Sequence, residues 1–160
     1  MDLQRNVLQS WLDEDLVITG MEADCWEEAL KILSSRLKEK GYVKDDFYRA
    51  LVEREKSFPT GLPVEGDIKA AIPHANPDYV IKPAVAVGVL KNPVAFGEMG
   101  TSDRQIQCKL IFLLALNDSK NHLDLLRKLM DFFVDGQNLK EIACEPESKK
   151  IIRILVEKIS

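Results

Sequence analysis

Two histidines occur in 160 residues, and each stands just past an apolar run. The first lies in "IKAAIPHANPDYV", residues 68–80, where a short apolar segment ends at Pro73, His74 follows, and Pro77 comes soon after. A neutral imidazole is a competent nucleophile near pH 7, because its unperturbed pKa is about 6.5. It works best with one ring nitrogen held as N–H by a local acceptor and the other offered to a substrate. Pro73 fixes its own φ and brings no N–H, so a strand cannot simply continue through it, and the next side chain is turned off the sheet edge. His74 is therefore the candidate nucleophile, although the same dipeptide also suits a plain surface turn. His122 follows the run "LIFLLAL" (110–116) and falls in the first turn of a strongly periodic helix, with Ser119 as the expected N-cap. First-turn N–H groups and the helix dipole favour an anion such as phosphate. Strand ends in an open α/β sheet are where a ligand crevice forms. Two unrelated turn histidines would give the same pattern.

Two further residues fit anion chemistry. Arg54, in "EREKSFPTG" (53–61), sits near the end of a predicted helix and before a Pro/Gly loop. Its guanidinium could clamp phosphoryl oxygens bidentately, or pair with an acid one turn away on the same helix. Thr60, between Pro59 and Gly61, could donate its hydroxyl or merely cap the turn. Other chemistries fit less well. The chain contains no GxSxG, no GxxxxGK[ST] and no GxGxxG. No HExxH or Cys/His ligand spacing appears, so no metal site is expected. Cys25, Cys108 and Cys144 form no CxxC and read as small hydrophobes in a reducing cytoplasm. The carboxylate pairs Asp13/Asp15 and Asp45/Asp46 read as solvated.

The elements that must position these residues follow from pattern. A composition of 46% apolar and 30% charged residues is that of a globular chain, and 160 residues suit one domain, 1–160, with its core over about 15–159. The net charge is −4 and no long basic run occurs, which argues against nucleic acid as a partner. The N-terminus reads as lacking a signal peptide, and the longest apolar run falls far short of the ~20 residues that span a bilayer. No membrane insertion and a cytoplasmic location are expected. A strand is predicted over 15–20 and a helix over 24–41, with Asp24 and Glu27 as a capping box. A second helix follows over 44–58, then a loop punctuated by Pro59, Gly61, Pro63 and Gly66, then a strand over 68–73. Segments 83–90 and 93–96 resemble a hairpin or two adjacent strands, residues 96–105 a polar loop, and 107–116 a central strand covered on both faces. A helix over 119–135 has Leu123, Leu126, Met130 and Phe133 as its inner stripe, widened by Leu125, Leu129 and Phe132, and is stopped by Gly136. A last helix covers 147–159. The fold class is α/β: a mixed five-stranded sheet with about four or five helices on both faces, a three-layer sandwich.

The strings "EREKSFPTG…AIPHA", "VAVGVLKNPVAFG", "CKLIFLLAL" and "NHLDLLRKLM" together make the chain resemble a known family over about residues 15–159. It is similar to the enzyme IIA component of the bacterial sugar phosphotransferase system, fructose–mannitol type (type 2). The resemblance implies a phosphotransferase with a phosphohistidine intermediate and no cofactor. His74 would take a phosphoryl group from the carrier HPr, at Nε2, and pass it to a cysteine of the IIB component, with a membrane IIC component as an indirect partner. Arg54 matches the family's "RE" arginine, His122 its second histidine and Thr60 its "TG" threonine, all as phosphoryl-stabilising groups. The implied fold is a mixed sheet between helices. The wording "FPTGL", the loop "TGLPVEGDIKAAIPHA" and Ala75 in place of glycine look closest to galactitol-type members, so galactitol or a related sugar or polyol is the expected cargo. Both partners would use a shallow apolar surface around His74 with Ile72, Phe58 and Leu62 at its rim. Two alternatives stand beside this reading: a regulatory, nitrogen-type IIA phosphorelay protein, and a non-enzymatic anion-binding module.

Overall fold

The structure, a computed structural model, describes residues 3–159; the first two residues and the last of the expected domain lie outside it. In chain order the elements are α1 (Leu3–Trp11), β1 (Val17–Met21), α2 (Trp26–Glu39), α3 (Phe47–Ser57), β2 (Gly61–Leu62), β3 (Ala70–Ala71), β4 (Ala84–Gly97), β5 (Gln105–Ala115), α4 (Ser119–Val134), α5 (Gly136–Cys144) and α6 (Ser148–Lys158). Short 3-10 turns at Glu14–Leu16 and Pro77–Tyr79 complete the order.

The sheet grows from its two most apolar segments. β4 and β5 pair antiparallel, from Ala84 opposite Ala115 to Gly97 opposite Gln105. β1 adds parallel to β4, β3 parallel to β5, and β2 antiparallel to β3, giving the order β1-β4-β5-β3-β2. Alternation along β4 and β5 feeds two cores, one on each face. Val85, Val87, Leu110, Phe112 and Leu114 meet Leu8, Leu125, Leu129, Leu139 and Leu155 from α1, α4, α5 and α6. Ala84, Ala86, Leu90, Ile111 and Leu113 meet Leu30, Leu33, Leu37, Phe47 and Leu51 from α2 and α3. Burial on both faces is what makes 107–116 an almost unbroken apolar string. Gly88 allows the close approach of β1 and α2: a Cβ there would sit 2.8 Å from Met21 Cε and 3.3 Å from Leu33 Cδ1. The expected α/β class, mixed sheet and two helical layers are those observed.

Several details differ from expectation. Segments 83–90 and 93–96 are one strand with a register shift between Val89 and Val94, not a hairpin. Pro93 has no N–H to give the ladder, and the exposed Lys91–Asn92–Pro93 stretch takes the bulge. Lys109 Nζ donates to the Leu90 and Lys91 carbonyls at 2.9 and 3.1 Å, satisfying groups the bulge leaves over. The fifth strand is instead β2, and the predicted strand over 68–73 shortens to Ala70–Ala71. Six α-helices are described, α1 and α5 being additional. Gly136 does not merely stop α4. The Asp135 carboxylate accepts the Gln137 N–H at 3.0 Å and starts α5. Asp24 forms no capping box; Cys25 is the α2 N-cap and makes no side-chain cap bond. On α4 the buried face is Leu125, Leu129, Phe132 and Phe133, while Leu123 and Met130 point outward. That helix is apolar on most sides, so periodicity alone could not choose its inner face. Cys108 is buried as expected of a small hydrophobe, but Cys25 and Cys144 are exposed. No described helix is long and apolar enough to cross a membrane.

Candidate active site

The chain leaves β3 through Ile72 and Pro73 alongside the end of β5. Leu114 N–H donates to Pro73 O at 3.0 Å, and His74 bridges to Leu114. From that bridge the imidazole turns back on its own strand: His74 Nδ1 lies 2.9 Å from Ile72 O. A carbonyl oxygen only accepts, so Nδ1 carries the proton and Nε2 keeps its lone pair.

β5 delivers the second ring. It ends at Ala115, and Asp118 opens α4 by accepting the Lys120 N–H at 2.8 Å. Asp118 is thus the N-cap in place of the expected Ser119, and its carboxylate takes a first-turn donor that an external anion would have used. The His122 N–H is bound to Asp118 O at 3.0 Å. His122 therefore contributes through its side chain. Its ring centroid is 4.7 Å from that of His74, edge-on at 63°. Burial pushes the His74 pKa below the ordinary value; the bond to Ile72 opposes this and the Arg54 charge adds to it. His122 is pushed down to about 4 by burial, then by His74 and Arg54. Both shifts favour the neutral form of the rings.

Arg54 stands exposed in the last turn of α3, its guanidinium carbon 5.5 Å from the centroid of the Phe58 ring. Instead of lying along its helix against an acid, it faces the same open cleft as His74, about 570 Å³ in volume. Thr60 lines that cleft too, but it is 4% exposed and its hydroxyl is already committed, donating to Glu55 Oε1 at 2.9 Å. Of the two roles open to Thr60 in the sequence, hydroxyl donor to a ligand or holder of the turn, this bond is of the second kind. The expected rim is corrected as well. Ile72 and Leu62 are each 2% exposed and belong to the core, whereas Phe58, as expected, and Met99 are exposed and line the cleft.

Sequence reasoning missed two parts of the site. The turn between β4 and β5, Met99–Ser102, lines the cleft opposite no recognisable motif. It is held there by Met99 N–H donating to Gly61 O at 2.8 Å and by Gly100 at φ 82°, a backbone shape that favours glycine. No pattern in 96–105 announces this docking. Glu55 was also missed, and here a signal existed. Phe47, Leu51 and Glu55 are the buried residues of α3, spaced four apart, so an acid occupies the inward phase of the helix. Among the described residues no group of three His, Cys, Asp or Glu side chains could hold a metal ion. A ring nitrogen with its lone pair free and a guanidinium at one cleft, with a second imidazole 4.7 Å from the first, suit an electrophile that carries negative charge.

Residues 10–158 match the sequence model of the family described as "Phosphoenolpyruvate-dependent sugar phosphotransferase system, EIIA 2". The chain belongs to this family. Among curated relatives of the EIIA 2 chain, the transcriptional regulator ManR of Bacillus subtilis is 34% identical over 101 residues, 63% of this chain and 14% of ManR. This chain thus spans only about a seventh of that relative's length. The galactitol-specific EIIA component of Escherichia coli K12 is 27% identical over 122 residues, 76% of this chain and 80% of that protein. Among solved structures, a complex of enzyme IIAMTL with phosphorylated enzyme IIBMTL from Escherichia coli matches with TM-score 0.73 at 23% identity, covering 91% of this chain and 96% of that one. At that identity the likeness speaks for the EIIA 2 fold.

Proposed function

We propose that this EIIA 2 chain carries a phosphoryl group on His74 Nε2, taking it from phosphorylated HPr and giving it to a cysteine of a IIB component. The observation that carries the reading is the His74 imidazole, tied at Nδ1 to Ile72 O and set 4.7 Å from a second neutral imidazole. In the first step the Nε2 lone pair attacks phosphorus. The new P–N bond forms as the donor's bond to phosphorus breaks, its electron pair returning to the donor. In the second step a IIB thiolate attacks phosphorus, a P–S bond forms, and the P–N pair returns to Nε2. The Nδ1 proton stays on its bond to Ile72 O throughout, so the ring needs no proton transfer to turn over. The chemistry asks chiefly for positioning and charge stabilisation. Arg54 supplies a fixed positive charge at the cleft, and His122 supplies a ring that binds a proton more readily once a dianion sits beside it. Thr60 acts as part of the wall through its bonds to Glu55, not as a direct donor.

The complex named for enzyme IIAMTL and phosphorylated enzyme IIBMTL supports a IIB partner, and a membrane IIC component follows indirectly. The galactitol-specific relative and the "FPTGL" wording support galactitol or a related sugar or polyol as the cargo, and three cysteines without a CxxC fit a cytoplasmic place of action. A second reading has its own support. The 34% identity to a stretch of a transcriptional regulator fits a phosphorylated domain that signals through binding. Incubation with phosphorylated HPr and mapping of the modified residue tests the shared step. We expect an acid-labile, base-stable adduct on His74 and none in His74→Ala. Discharge of that adduct by a IIB protein separates the transport reading from the regulatory one. An unmodified chain that binds inorganic phosphate tightly would leave only an anion-binding module.

A further inference from the structure

The last turn of α3 ends in two neighbouring charges that face different ways. Arg54 is exposed at the cleft, and Glu55, one residue on, is 4% exposed. Burying a carboxylate is costly unless its oxygens are satisfied. Both are: Glu55 Oε2 accepts the Thr60 N–H at 2.8 Å and Oε1 accepts the Thr60 O–H at 2.9 Å. Two accepted bonds and no donated one are the pattern of an ionised carboxylate. The clamp closes the turn over Phe58 and Pro59, where Pro59 has no N–H and the Phe58 N–H is spent on Arg54 O at 2.7 Å. What the clamp holds matters more than the clamp. Thr60 O accepts the Ile72 N–H at 3.3 Å, and Ile72 O holds His74 Nδ1 at 2.9 Å. Glu55, Thr60, Ile72 and His74 thus form one chain of hydrogen bonds from the core to the ring.

We propose that Glu55 is a positioning residue that fixes the tautomer and direction of the His74 ring through Thr60 and Ile72; its catalytic relevance rests on the reading of His74 as the phosphoryl carrier. The segment it anchors is otherwise weakly held. β2 and β3 are two residues each, with proline at 59, 63 and 73 removing backbone donors around them. A buried acid that accepts from both donors of Thr60 replaces the ladder this edge lacks. Displacement of a reacting group by about 1 Å can slow an enzyme on the order of 10²-fold, so a loose Ile72 carbonyl would be felt at Nε2.

The test reads the ring directly, in unphosphorylated protein, by nitrogen chemical shifts and long-range proton–nitrogen correlations of the two imidazoles. Glu55→Ala should convert the His74 signal from the single Nδ1–H tautomer to a mixture. It should also lower the maximal single-turnover transfer rate from phosphorylated HPr by about 10- to 100-fold, with the half-saturating HPr concentration unchanged. Glu55→Gln, which can accept from the Thr60 N–H and donate to its hydroxyl oxygen, should restore the single tautomer and most of the rate. A folded Glu55→Ala protein with the wild-type tautomer and rate would overturn the proposal. If that variant does not fold, Thr60→Val, which removes one of the two bonds, should shift the same signals in the same direction, and no shift there would overturn it equally. Because the tautomer is read without phosphate, a tautomer shift in a protein that HPr never labels would keep Glu55's structural role and remove only the carrier reading.

Discussion

Strands β4 and β5 run for 14 and 11 residues through the middle of the sheet, whereas β2 and β3, at one edge, run for two residues each. The middle is held by a long ladder and by side chains such as Val87, Leu90, Leu110, Ile111 and Leu113, all 0% exposed. Its stabilisation is apolar and non-directional, about 25 cal/mol for each Å² removed from water. The edge, by contrast, is held in register by a few directional bonds: Thr60 to Glu55, Ile72 to Thr60, His74 to Ile72, and Met99 to Gly61. A typical such bond is worth only about 1 kcal/mol net, but it fixes where a group points. The difference teaches where a transferable group can be handled. Under the proposed carrier reading the ring must be open to two partners and so cannot sit inside the ladder, and a ring that must aim one nitrogen cannot rely on apolar packing alone.

That division predicts opposite outcomes for substitutions in the two regions. The largest expected effect is at the edge: His74→Ala should lose all labelling by phosphorylated HPr while its unfolding free energy falls by no more than about 1 kcal/mol. Urea titration beside the labelling assay reads both, and a protein that unfolds outright would break the separation. In the middle, Leu90→Ala removes a fully buried side chain that does not line the cleft, and should cost about 2–5 kcal/mol. Measured at a temperature where that variant is still folded, its transfer rate should be nearly that of the wild type. A large loss of rate in the folded variant would mean that the ladder does more than carry the edge.

The same contrast explains how much could be read from sequence. β5 and most of β4 were legible because burial on both faces leaves a continuous apolar string. Helices α2, α3, α4 and α6 were legible from their period. β2 was not, since two residues carry no period at all; β3 was read as a strand but too long, over 68–73, and the count of five strands came out right only because splitting β4 in two offset the missing β2. α5 was hidden because Asp135 is at once the last residue of one helix's end and the cap of the next. In the site, His74 and His122 were found from scarcity and from their place after strands, and they lie together. Met99–Ser102 could not be found, because its approach to the cleft is a product of the β4–β5 pairing and not of its own residues.

A smaller effect is expected at the cleft wall. Arg54 touches solvent and the Phe58 ring, so Arg54→Ala should change stability by about 0.5 kcal/mol or less. It should nevertheless slow transfer on the order of 10²-fold, as removal of a preorganised charge-stabilising donor does. Arg54→Lys should recover only part of this, because an ammonium is a point charge without the planar fork. Single-turnover rates for the three proteins, with melting curves as controls, sharpen the comparison by separating aim from charge within the edge itself. Full recovery by lysine would show that net charge is all the cleft requires.

The smallest expected effect is a slope with pH, and it too belongs to the edge. His122 is pushed down to about 4 and His74 is also lowered, both first by burial. Between about 4 and the ordinary histidine value of about 6.5 the unfolded chain therefore binds more protons at His122 than the folded one, and the lowered His74 acts in the same direction. Stability contributed by keeping them neutral is present above about 6.5 and is lost as pH falls toward 4. Glu55, whose carboxyl is raised by burial, works in the other direction, since the folded state holds its proton more tightly as acid is approached. The ladder has no carboxylate or imidazole to add; its one shifted group is the Cys108 thiol, pushed up to about 12 by burial and by Glu55. A difference measurement isolates the ring. Urea midpoints of the wild type should fall between pH 7 and pH 5, and His122→Gln should flatten that fall by removing one of the two depressed groups. Phosphorylated wild-type protein should flatten it as well, because a dianion beside His122 raises its affinity for a proton toward or above the ordinary value. If neither change alters the slope, the neutral pair at the edge is not what couples this site to pH.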